Sequence, residues 1–86
     1  MPKDIPVDDF DYTEYRKRVA RRIKSVRQLK GYSSYEAFAY QHDISRSQMN
    51  RYENGKGDLR LESLLKVIRA LDMTPAEFFS QGFDSW

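Results

Sequence analysis

Apolar residues recur along this chain with a helical rather than a strand period, and the pattern divides it into five helices. Tyr12, Tyr15, Val19, Ile23 and Val26 follow one another at three- and four-residue intervals, which predicts a first helix from about Asp11 to Lys30. Gly31 suits the left-handed backbone past a helix end, and Lys30 suits the negative end of the helix dipole. Ser33 or Ser34 can cap a short second helix; Ser33 with Glu36 fits a capping box, and Ala37, Phe38 and Ala39 supply its apolar face. After His42, Asp43 and Ile44, Ser45 is a good cap for a third helix from Arg46 to about Glu53, closed by Asn54 and Gly55. Leu61, Leu64, Leu65, Ile68 and Leu71 mark a fourth helix, expected to be the most buried. Thr74, Pro75 and Glu77 form a cap, a first-turn proline and a back-reaching carboxylate for a fifth helix that carries Phe78 and Phe79.

The segments outside this pattern read differently. Residues 1–10 are acidic, contain Pro2 and Pro6 and lack period, so they are expected to form an extended arm. Residues 11–80 form the helical domain. The tail 81–86 carries Phe83 and Trp86, aromatics that need cover from this subunit or another.

The third helix is the odd one. Met49 and Tyr52, three apart, can anchor it, with Ile44 just before it; Arg46, Ser47, Gln48, Asn50 and Arg51 then project outward. A polar helix face can be merely solvated. The same residue types also suit a DNA major groove, where Arg pairs bidentately with guanine and Asn or Gln with adenine.

Composition narrows the choice. The 86 residues suit one domain, and 33% charge without a long apolar run excludes a membrane span and a secretory leader, so a soluble cytoplasmic protein is expected. With no cysteine and one histidine, His42, disulfides, thiolate zinc sites, thiol catalysis and a His-rich metal site lack their residues. No enzyme activity, metal, cofactor or small-molecule substrate is expected. The net charge of +2 hides an acidic start, with Asp4, Asp8, Asp9, Asp11 and Glu14, followed by a dense basic run from Arg16 to Lys30. Such a run favours nucleic acid or an anionic membrane. The tyrosines and valines of the first helix are needed for a core, which disfavours the membrane. Most of the eight cations cannot face one duplex; Arg16, Lys17 and Arg21 are the ones placed to touch phosphates.

Arg27 and Gly31 in the first helix, Ala39 in the second, the segment ISRSQMNRYENGK, Leu64-Leu65 through Leu71, and MTPAEFF are ordered and spaced in a way that resembles a known family. Residues 19–79 resemble the helix-turn-helix domain of the Cro/repressor (XRE) family of bacterial and phage DNA-binding regulators. The resemblance implies an all-α, five-helix bundle, a lambda-repressor-like domain preceded here by the arm. It implies a sequence-specific regulator of double-stranded DNA, a repressor acting as a homodimer, with the helix at about 45–53 in the major groove. On that reading Arg46, Ser47, Asn50 and Arg51 read bases, while Ser45 and Gln48 touch phosphates or support the readers. Ser34 and Tyr35 begin the second helix, where the family contacts a phosphate, commonly through glutamine; Tyr35 either bonds a phosphate or packs on a neighbour. Lys56 and Arg60 match sugar-phosphate contacts, and Arg27 and Glu53 match a salt bridge between the first and third helices. Asp43 stands where the family usually has glycine, a change that a left-handed backbone tolerates. Phe83 and Trp86 are the dimer candidates, with Phe78 and Phe79 read first as core. The alternative function is an antitoxin-like module that binds DNA and holds a protein partner through its acidic arm.

Overall fold

The computed structural model describes residues 11–57 and 59–83; the arm and Trp86 lie outside the described residues. The chain forms α1 (Tyr12–Leu29), α2 (Tyr35–Gln41), α3 (Arg46–Glu53), α4 (Leu61–Ala70) and α5 (Pro75–Phe78), with no strand among the described residues. The all-α, five-helix reading therefore holds.

Asp11 opens α1 by accepting a hydrogen bond from the Glu14 amide at 2.9 Å. Val19, Ile23 and Val26 bury one face of that helix. Tyr12 does not join them: it is 53% exposed, because the first turn lies beyond the end of the core. The cap of α2 is Ser34, whose Oγ accepts from the Ala37 amide at 3.1 Å. The Ser33 and Glu36 capping box does not form, since Ser34 takes the cap position.

Between α2 and α3 the chain reverses at Asp43, whose φ of 55° is left-handed as its place in the turn requires. The Ile44 amide then bonds the Ala39 carbonyl at 2.9 Å, so the last turn of α2 is closed and Ile44 is carried into the core. His42 packs its ring on Phe38, with centroids 4.6 Å apart, and its Nε2 lies 3.3 Å from the Tyr32 hydroxyl. Phe38 and Ala39, Met49 and Tyr52 meet the α1 face, so α3 rests on both α1 and α2.

The buried stripe of α4 runs through Leu64, Val67 and Ile68 to Leu71. Leu61 is 71% exposed, contrary to the periodicity, because the first turn of α4 projects past the core and Val67 fills the stripe instead. Thr74 and Glu77 make both bonds of the capping box, 3.0 and 3.1 Å. Arg22 closes the other end of α5, donating to the Phe78 carbonyl at 2.8 Å and the Glu77 carbonyl at 3.0 Å. Phe83, read as a dimer candidate, is covered by its own chain: its ring lies 5.2 Å from Tyr15 and 4.9 Å from Phe79.

Candidate nucleic-acid interface

Two short turns set the attitude of α3. Ser45 caps it by accepting from the Gln48 amide at 3.3 Å, and the chain leaves it through Gly55, at φ 65°. A Cβ at Gly55 would lie 3.5 Å from the Lys17 Cα, so the end of α3 sits close against the first half of α1.

A buried ion pair fastens the same end. Arg27 Nε donates to Glu53 Oε2 at 2.8 Å and Nη2 to Oε1 at 2.9 Å, a two-pronged contact whose side chains are only 4% and 7% exposed. Arg27 Nη1 also donates to the Tyr32 carbonyl at 2.7 Å. One guanidinium thus ties α1 to α3 and to the entry into α2, and the charge predicted to join α1 and α3 does so.

The outward face of α3 carries Arg46, Ser47 and Arg51 exposed, with Asn50 and Gln48 half-buried at its flanks. Each flanking amide is oriented. Asn50 Nδ2 donates to the Tyr35 hydroxyl at 2.9 Å, and Gln48 Nε2 donates to the Tyr52 hydroxyl at 2.9 Å. Tyr35 therefore turns toward α3 as a partner of Asn50, a link that sequence spacing cannot reveal because the two lie on different helices.

A hollow lies on each side of this face. One of about 320 Å³ is lined by Tyr35, Arg46, Ser47, Asn50 and Arg51. The other, of about 330 Å³, is lined by Ser45, Ser47, Gln48, Arg51, Tyr52, Arg60 and Ser63. Arg60 thus joins the residues of α3, while Ser34 borders a separate hollow with Arg27, Tyr35 and Glu53. Lys56, in the loop after α3, is exposed, and its amide donates to the Arg51 carbonyl at 2.9 Å. Sequence reading did not single out Ser63, which lines the hollow with Arg60.

A polar helix held by its ends, with cations around it and its apolar edge buried, is the anatomy of a helix-turn-helix DNA-binding domain. Residues 22–81 match the Cro/C1-type HTH DNA-binding domain, and the chain belongs to that family of XRE-type regulators. It is 36% identical over 63 residues to control protein C.MunI of Mycoplasma sp, an alignment that covers 73% of this chain and 85% of that protein. No solved structure matches the chain significantly. Among the described residues no helix is long and apolar enough to cross a membrane.

Proposed function

We infer that this DNA-binding regulator is a repressor in the bacterial cytoplasm, acting as a homodimer on a roughly twofold operator. The carrying observation is the outer face of α3, where exposed Arg46 and Ser47 stand beside an Asn50 amide already oriented by Tyr35. With α3 in the major groove, Arg46, Ser47 and Asn50 meet base edges, and Asn50 retains a free amide hydrogen and its carbonyl for an adenine. Lys56 and Arg60 approach the sugar-phosphate backbone, Ser34 and Ser45 offer hydroxyl donors to it, and Gln48 supports the helix through Tyr52. The dimer follows from the few base pairs one helix reads: two copies about 34–36 Å apart double the readout along one face of the duplex. C.MunI, named as a control protein, supports a regulatory role for its relative here.

Selection from a randomised duplex pool at near-physiological salt tests this. The wild type enriches a twofold motif, and the Arg46→Ala, Asn50→Ala double variant, whose substitutions lie on a partly exposed face, fails to recover it. Enrichment of no motif by the folded wild type would overturn the reading.

A further inference from the structure

The carboxamide of Asn50 has two ends of opposite polarity and nearly equal size. Its last torsion is broad and two-fold, so shape alone does not decide whether Oδ1 or Nδ2 leads. The rest of the residue is held. Its backbone carbonyl accepts from Asn54 Nδ2 at 2.8 Å, and its own Nδ2 donates to the Tyr35 hydroxyl at 2.9 Å. Tyr35 is the first residue of α2, directly after the cap Ser34, and its ring packs against the core. The acceptor is thus fixed by a different helix from the one that carries Asn50. Arg46 and Arg51 line the same hollow as this pair. Two cations draw the amide oxygen toward them and disfavour the NH2 group, which leaves Nδ2 to Tyr35. An adenine edge presents the N6 donor beside the N7 acceptor and pairs with an amide that offers oxygen and hydrogen in the matching order. Turned over, the same amide sets donor against donor.

We propose that Tyr35 is a specificity-determining residue that acts through Asn50: by accepting from Nδ2 it fixes the order in which Asn50 presents acceptor and donor, and so the base pair that Asn50 selects. Tyr35 is then a positioning residue, and Asn50 the reader. The proposal rests on the reading that α3 enters the groove.

The test measures the affinity of the selected duplex, and of duplexes with each base pair replaced in turn, for the wild type, Tyr35→Phe, Asn50→Ala and the double variant. Phenylalanine keeps the packed ring and removes only the hydroxyl, so the variant stays folded, which thermal melting checks. Asn50→Ala locates its base pair by losing discrimination there. Tyr35→Phe should lower discrimination at that same pair by about three- to tenfold and leave the ratios at every other pair unchanged. In the Asn50→Ala background it should change no ratio. The proposal is overturned if Tyr35→Phe weakens every duplex by one common factor, as loss of a backbone contact or of packing does, or leaves all of them unchanged. It is overturned equally if the effect at that pair persists without Asn50. A wild type that selects no duplex removes the groove reading and this role together, whereas a selected duplex with any of the overturning results removes this role alone.

Discussion

Arg27 is 3% exposed and satisfies three acceptors, two on Glu53 and one on the Tyr32 backbone. Removing either charge strands the other in a poorly solvated place, which costs about 3–5 kcal/mol. Glu53→Ala and Arg27→Met should each lose stability on that scale in urea unfolding. The double change Arg27→Met, Glu53→Leu should recover most of it, short by about 1–3 kcal/mol because the Tyr32 carbonyl then lacks its donor. No recovery in the double variant would mean that the pair is not the source of the loss. This pairing was legible only through the family resemblance, since an arginine and a glutamate 26 residues apart share no periodic relation. The role of Arg22 was not legible at all: its acceptors are backbone carbonyls, which carry no mark in a sequence.

At the level of elements, local chemistry was the most readable part. Ser45 and Thr74 cap as their patterns predict, because a cap involves residues three apart. Ser33 and Ser34 could not be separated that way, since both fit the motif and only the path from Gly31 decides between them. Leu61 misled for a different reason: period identifies a face, but not how far along the helix the core extends. Glu77 in α5 gives a test in pH. The Thr74 amide and hydroxyl hold its carboxyl below the usual 4.5, so the charged form is favoured in the folded state. Its contribution to stability is complete above 4.5 and is lost as pH falls through the lowered value. Thermal melts of Glu77→Gln should show a shallower loss of stability on acidification below 4.5 than the wild type. Identical acid limbs would discount the capping carboxylate.

For the whole molecule, the small net charge of +2 conceals how the cations are distributed, and it is their placement that governs binding. In the proposed dimeric complex, Lys56 and Arg60 of both copies would each neutralise a phosphate, and the counterions released would give a slope of about −4 in log affinity against log salt. A slope near −1 in a salt titration would mean that most of these residues stay in solvent. Lengths and caps of the helices were readable because they are local; the two hollows beside α3 were not, because each is assembled from more than one element of the chain. A longer separation governs how the protein comes into being. Arg22 waits for carbonyls 55 and 56 residues further on, so on a ribosome adding about 5–20 residues per second α1 is made roughly 3–11 s before α5 can meet it. Throughout that interval Val19, Ile23 and Val26 form an apolar stripe without its final cover. Until α5 is made, α1 has α2 and α3 to pack against but lacks the bonds that Arg22 makes to the end of α5.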